Sequence, residues 1–301
     1  MSGEGMFRHG VKIVDTFAEA FGMRAARVVI TAQSPGWART AGQSMTGFAT
    51  SVIGCKIEAG IEADLSPQET PDGRPGVSVL VFGFDTAGLG GRLVDRVGQT
   101  VLTCPTTACF DGLPQAAERV VVGGQLRHFG DRYQSSKFLD GRRYWRIPVM
   151  DGEFIVEDRF GVVKGVAGGN FLLLGEAPQA VLQAAELAVG AMRQVPGVIL
   201  PFPGGVVRSG SKVGSRYKFL TASTNTAYCP TIRRQVESVL PDDVGAVLEI
   251  VIDGLTPDAV TEAMRVGIRA ACRPGIKGIS AGNYGGKLGK YHFRLHEVLR
   301  S

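Results

Sequence analysis

The chain has 301 residues, enough for two medium-sized domains each with its own core. Hydrophobic residues make up 44% and charged residues 20%, with no apolar run near the roughly 18–20 residues of a membrane span, which excludes a membrane-embedded chain. A net charge of +5 is open to nucleic acid, but it is spread without a dense Lys/Arg run or a nucleic-acid motif, and anionic small molecules fit it equally well.

The opening MSGEGMFRHGVKIVD lacks a charged segment followed by an apolar core, so no secretory signal is expected and the location is expected to be cytoplasmic. Five scattered cysteines, an odd number, suit reduced thiols better than a disulfide framework.

In chain order, ARVVITA (26–32) reads as a strand and Ser34-Pro35 as a helix start. GFATSVIGCKIEAG (47–60) and VSVLVFGF (77–84) read as strands, LGGRLVDRVGQTVLTC (89–104) as a helix, and QLRHFGD (125–131) as a strand. Residues 131–165 read as strands or a hairpin joining two halves. Val166–Glu176 is then a strand, and the helix over 177–193 is expected to bury Val181, Leu182, Ala185, Ala188, Val189 and Met192. A strand over 197–209, broken by Pro-Gly-Gly, precedes a long polar stretch from Ser209 to Asp243. AVLEIVIDG (246–254) is a strand, Thr256-Pro257-Asp258 opens a helix ending near Cys272, and YHFRLHEV (291–298) is the last strand.

The order βαββαβ predicts an α+β fold of two ferredoxin-like lobes, 1–150 and 151–301, with antiparallel sheets. In such a unit the first and fourth strands are neighbours. AGGNF (167–171) and AGNYGG (281–286) are therefore expected side by side within the second lobe, small residues admitting a ligand and Asn170 and Asn283 orienting it.

Several short motifs fail. Gly88-Leu89-Gly90 has Leu93 where GxGxxG needs its third glycine, and the stretch before Leu288 lacks both the first glycine and the Ser/Thr of a phosphate loop. Ser209-Gly210-Ser211-Lys212 spells SxxK without the companion motifs of that chemistry. His292 and His296, and Cys104 with Cys109, lack metal-site spacing, so no metal site is expected.

Two features remain. Glu249 interrupts an apolar strand, and a carboxylate there is either functional, with burial moving its pKa toward proton transfer, or structural, in a buried ion pair or on a strand with one wet face. The segment 209–230 is rich in hydroxyls and backbone donors and carries Lys212, Arg216 and Lys218, a combination suited to an anionic group; a solvated surface loop is the alternative. A candidate acid/base beside a donor-rich loop suits a cofactor-free group transfer between two bound molecules.

DTFAEAF (15–21), TGFATSVIGC, EAGIE, ETPDGRPGV (69–77), DGEFIVED, GVAGGNF, PFPGG, SKVGS, STNTAYCP (223–230), EAMRVGI and ISAGNYGGKLG together span almost the whole chain. With these stretches the sequence closely resembles the formylmethanofuran:tetrahydromethanopterin formyltransferase family. The resemblance implies direct formyl transfer between the amine nitrogen of methanofuran and N5 of tetrahydromethanopterin, both acting as coenzyme substrates, with no tightly bound cofactor. It implies a glutamate acid/base, matched here to Glu249. Coenzyme contacts are expected at Asn170, Phe171, Ser211, Lys212, Ser223, Thr224, Asn225, Tyr228, Asn283, Tyr284 and Lys287, with Lys212, Arg216 and Lys287 facing anionic tails. The same resemblance implies a dimer of dimers with sites at subunit contacts. The positive charge departs from acidic, salt-adapted archaeal members and suits a methylotroph oxidising formaldehyde, where partners would be other subunits of a formyltransferase/hydrolase complex. A non-catalytic scaffold subunit of that complex is the competing expectation.

Overall fold

The computed structural model describes residues 6–210 and 212–300. Its packing divides into two compact units, residues 23–165 and residues 1–22 with 166–301, a different division from a cut at residue 150. Two long strands cross the boundaries: β1 (Phe17–Thr31) and β7 (Arg159–Gly175).

In the unit of residues 23–165, β1 is followed by α1 (Pro35–Thr46), β2 (Glu58–Leu65), β3 (Gly76–Gly83), α2 (Thr86–Arg96) and β4 (Ala108–Asp111). The pairing order is β4-β1-β3-β2, each neighbour antiparallel. Strands β5 (Arg142–Val149) and β6 (Gly152–Glu157) form a hairpin. Strand β6 then pairs with β4 in parallel, through Ile155 opposite Ala108 and Val156 opposite Cys109.

The other unit continues from β7 through α3 (Pro178–Met192), β8 (Val198–Ile199), β9 (Ala246–Gly254), α4 (Pro257–Ala271) and β10 (Ile276–Ser280) to β11 (Tyr291–Arg294). Its order is β10-β7-β9-β8, again antiparallel at each step. Residues 11–13 add to β10 in parallel. The expectation of wholly antiparallel sheets is thus corrected in both units, each of which adds a parallel pairing to its four-stranded core.

Local chemistry explains the helix starts. Ser34 accepts from Trp37 N, Asp85 from Gly88 N and Thr256 from Ala259 N, with Pro35 and Pro257 in the first turns. The glycine turn at 88–90 is therefore a capped helix entrance. Helix α3 buries Val181, Ala185, Ala188, Val189 and Met192 as expected, with Ala184 in place of Leu182, which is exposed.

Four boundaries differ from the sequence expectation. Val52–Cys55 is a helical turn, so the strand begins only at Glu58, and Ser51 caps the turn. Residues 125–131 are short helical turns, and the fourth strand is the buried ACFD of 108–111. In 197–209 only Val198–Ile199 is strand, because Gly204 and Gly205 take left-handed φ of +66° and +87° and turn the chain. The fourth strand of the second unit is β10, while YHFR pairs with Phe17–Ala20 and Leu295–Arg300 is a helix.

The two cores are separate. In the second unit, Phe171, Leu173, Ile250 and Ile252 pack beneath α3 and α4 with Val181, Met192, Val260 and Met264. In the first, Val28, Ile30, Val79 and Val81 pack against Leu89 and Leu93 of α2.

Candidate active site

The pleat of β7, β9 and β10 sorts the candidate residues. Directly paired residues of neighbouring strands share a face. Leu172 is paired with Glu249 on one side and with Ser280 on the other, giving a row Ser280–Leu172–Glu249 across three strands. Since Phe171 and Ile250, one position along, lie in the helix-packed core, the row faces away from the helices.

That face is covered by the polar segment. Leu240 and Val244 form a cluster with Leu172 and Leu174, with Tyr228 packed against it. The Tyr228 hydroxyl lies 3.3 Å from Ser280 Oγ. Val207 exchanges both backbone hydrogen bonds with Glu249, at 2.7 and 2.9 Å, so Glu249 is paired on both sides of its strand and only 7% exposed. An edge strand with one wet face is therefore not its setting.

One amide joins the two glycine-asparagine stretches. Asn170 Nδ2 donates to the carbonyls of Gly168 (3.0 Å) and Gly282 (3.1 Å), and its Oδ1 accepts from Gly282 N at 2.6 Å. The expected juxtaposition of AGGNF and AGNYGG holds. The Asn283 amide donates to Thr16 Oγ1 and to the Phe17 carbonyl, and its Oδ1 accepts from Gly285 N. Both side chains are committed to building the loop.

Glu19 organises the rest of that loop. Its Oε2 accepts from Tyr284 N (2.7 Å) and Gly286 N (2.8 Å), its Oε1 from Leu288 N (2.6 Å) and Gly289 N (2.5 Å), and the residue is 1% exposed. Gly285 and Gly286, at φ of +71° and +73°, let successive N–H groups turn inward around an anion. Burial alone would raise the carboxyl, but the backbone donors from Gly289, Tyr284, Leu288 and Gly286 outweigh it and hold the pKa down at about 2. A folded pKa below the ordinary 4.5 stabilises the fold above about pH 4.5 and loses that contribution as pH falls toward 2. Urea unfolding at pH 5 and pH 3 is accordingly expected to show the gap between wild type and Glu19→Gln narrowing at the lower pH; an unchanged gap would contradict it.

The Tyr284 phenol is pushed above the ordinary tyrosine range first by burial, then by the negative charges of Glu249 and Glu19. Its ring lies 6.1 Å from that of Phe21, centroid to centroid.

The other expected contacts are dispersed. Phe171 is fully buried beneath the helices, on the face opposite Glu249, which removes it from the candidate surface. Lys212 is exposed and opposite Ser223 in a small hairpin, and Ser223 Oγ donates to the Gly214 carbonyl at 2.7 Å. Thr224 Oγ1 is 3.5 Å from Cys229 Sγ, and the Asn225 carbonyl accepts from Tyr228 N at 3.0 Å. Lys287 is exposed on the glycine loop. Ser211 lies outside the described residues.

The site thus combines one carboxyl group, the Tyr228 phenol and a serine hydroxyl on one sheet face, a set suited to proton transfer and to donating to a developing oxyanion. No metal-binding cluster of His, Cys, Asp and Glu occurs among the described residues. Sequence reasoning missed Glu19 and Ser280. A charged residue in the otherwise apolar FAEAF was the available signal for Glu19; Ser280 carried none.

Comparison with known proteins gives consistent matches. The family model described as "Formylmethanofuran-tetrahydromethanopterin formyltransferase" matches residues 6–149, and "FTR, proximal lobe" matches residues 152–298. A protein of that enzyme name from Methylobacillus flagellatus is 57% identical, over 98% of this chain and 100% of its own length. A component of the formyltransferase/hydrolase complex of Methylorubrum extorquens is 53% identical over 97% of this chain and 96% of its own length. Among solved structures, the Methanosarcina barkeri enzyme superposes with a TM-score of 0.93 at 51% identity, covering 97% of this chain and 100% of that chain. A chain of the Methylorubrum extorquens formyltransferase/hydrolase complex with methylofuran gives 0.95 at 52% identity, covering 98% and 99%.

Proposed function

The chain belongs to the formylmethanofuran–tetrahydromethanopterin formyltransferase family, and from that premise we propose that it moves a formyl group between the amine nitrogen of a methanofuran-type coenzyme and N5 of tetrahydromethanopterin. The observation that carries the site assignment is the row Ser280–Leu172–Glu249 on the helix-free face, with Tyr228 beside it.

A formamide resists attack because its nitrogen lone pair is delocalised. N5 adds to the formyl carbon, the carbonyl electron pair moves to oxygen, and the C–N bond to the furan-side amine breaks as the oxyanion collapses. The proton lost by N5 must reach the departing amine. Glu249 is assigned that transfer, and the hydroxyls of Tyr228, Ser280 and Tyr284 are the donors proposed for the oxyanion. Lys212, Arg216 and Lys287 are assigned to anionic tails, with Ser211, Ser223, Thr224 and Asn225 as loop contacts. Asn170 and Asn283 act by shaping the glycine loop. Transfer is direct, with no tightly bound cofactor.

We also read both units as ferredoxin-like, which the strand orders β4-β1-β3-β2 and β10-β7-β9-β8 support. The lobes 1–150 and 151–301 are retained as sequence modules, supported by the family matches over 6–149 and 152–298. No helix among the described residues is long and apolar enough to cross a membrane. A cytoplasmic location, a dimer of dimers, and association with other subunits of a formyltransferase/hydrolase complex in formaldehyde oxidation complete the proposal, the last supported by the Methylorubrum extorquens relatives.

Purified protein mixed with formylmethanofuran and tetrahydromethanopterin is expected to yield formyl-tetrahydromethanopterin, followed by absorbance and mass spectrometry. No product above the uncatalysed background would leave the scaffold reading in its place.

A further inference from the structure

Glu19 lies on β1, outside the Ser280–Leu172–Glu249 row. Its carboxylate nevertheless receives the backbone of the segment that follows Ser280. Four N–H groups between Tyr284 and Gly289 converge on its two oxygens within 2.5–2.8 Å. Its own N–H donates to the Gly282 carbonyl at 3.2 Å, so the loop is held from both sides. The fit leaves no room for a side chain at Gly289: a Cβ there would stand 2.6 Å from the Ala20 carbonyl oxygen and 2.7 Å from Glu19 Cγ.

We infer that Glu19 is a positioning residue for the transfer, fixing the backbone of residues 284–289 and with it the placement of the Tyr284 ring. The inference rests on the formyltransferase reading above. Three observations support it. Tyr284 N is itself one of the four donors, so the ring is anchored at its own backbone. Asn170, on the same sheet face as the row, ties the start of the loop at Gly282. The Tyr284 phenol responds to burial, then to Glu249, then to Glu19, which places both carboxyl groups within electrostatic reach of it. A carboxylate suits the task because it presents only acceptors to four donors. A glutamine would offer one acceptor oxygen and turn an NH2 group toward N–H groups.

The test is a double-mutant cycle on kcat with both coenzymes saturating. Glu19→Gln is expected to lower kcat about 10-fold, and Tyr284→Phe to lower it as well. The double variant Glu19→Gln/Tyr284→Phe is expected to be no slower than Tyr284→Phe alone, because coupled residues act through one another. A purely structural Glu19 would give multiplied losses, and that result, or wild-type kcat in Glu19→Gln, overturns the inference. Glu19→Asp, which keeps the charge but shortens the reach, is expected to fall between wild type and Glu19→Gln. Backbone amide hydrogen exchange supplies a readout without activity: about 10-fold or faster exchange is expected over 284–289 in Glu19→Gln, with 246–254 unchanged. Unchanged protection over 284–289 also overturns the inference. A wild-type protein with no transferase activity but with this loss of protection would identify the functional reading, and not the loop geometry, as the failure.

Discussion

Glu249→Gln is expected to lower the single-turnover rate of formyl transfer by about 100-fold or more, the usual scale for loss of a general acid/base. Glutamine preserves the volume and one carbonyl acceptor at a site that is 7% exposed, so packing against Leu172 and the backbone exchange with Val207 are retained. What disappears is the ability to take a proton from N5 and return it to the amine. A 100-fold loss corresponds to about 2.7 kcal/mol of transition-state stabilisation, within what one proton-transferring group supplies. The melting temperature is expected to stay within a few degrees, since no backbone partner changes. Measurement of both quantities on one preparation separates chemistry from folding. Near wild-type turnover would move the proton transfer to another group on the same face.

Arg142→Ala is expected to destabilise the unit of residues 23–165 by about 3–5 kcal/mol, the usual cost of leaving one member of a buried ion pair behind. Arg142 Nε donates to Glu157 Oε1 at 2.7 Å and its Nη2 bonds Oε2, while the Glu157 side chain is 2% exposed. Asp111, also buried, accepts from Arg119 Nη2 at 2.7 Å and from the backbone of Leu113 and Gly161. Removing Arg142 leaves Glu157 with the Asp111 N–H at 3.0 Å and Arg119 at 3.6 Å. Burial already pushes Glu157 above the ordinary carboxylate range, with the Arg142 hydrogen bond and charge opposing it. A raised folded pKa means that stability falls as pH rises through it, because the folded state holds the proton longer than the unfolded chain. The loss in Arg142→Ala is therefore expected to be larger at pH 8 than at pH 5. Chemical denaturation at the two pH values checks both magnitude and sign, and equal losses would show that the charge on Glu157 is not the cause.

Legibility from the sequence followed the range of the interactions involved. The helix starts at Ser34-Pro35 and Thr256-Pro257 were readable because a cap is a contact over three residues. AVLEIVIDG was readable to the residue because a buried strand is an apolar run bounded by turns. The strand 108–111 was not, since ACFD alone has no period to recognise and becomes a strand through β1 and β6. YHFRLHEV misled for a related reason: its first half finds a partner in Phe17–Ala20, and its second half turns helical.

The candidate site divides in the same way. By itself the sequence determined the family, the first three strands and two helices of each unit, and the suspicion attached to Glu249, because a carboxylate inside an apolar run is visible as a local anomaly. AGGNF and AGNYGG meet as expected, but through Ile276–Ser280 as the fourth strand and not YHFRLHEV, and the Asn170 amide joins them. Only the tertiary structure decided which face each side chain occupies. The pleat sends Phe171 beneath the helices while its neighbours Asn170 and Leu172 join the face of Glu249. Only the tertiary structure revealed Glu19, whose backbone donors lie more than 260 residues away in the chain. Hydrogen bonds to backbone leave no trace in the identity of the donor residues, so their convergence on one carboxylate becomes visible only once the chain is folded.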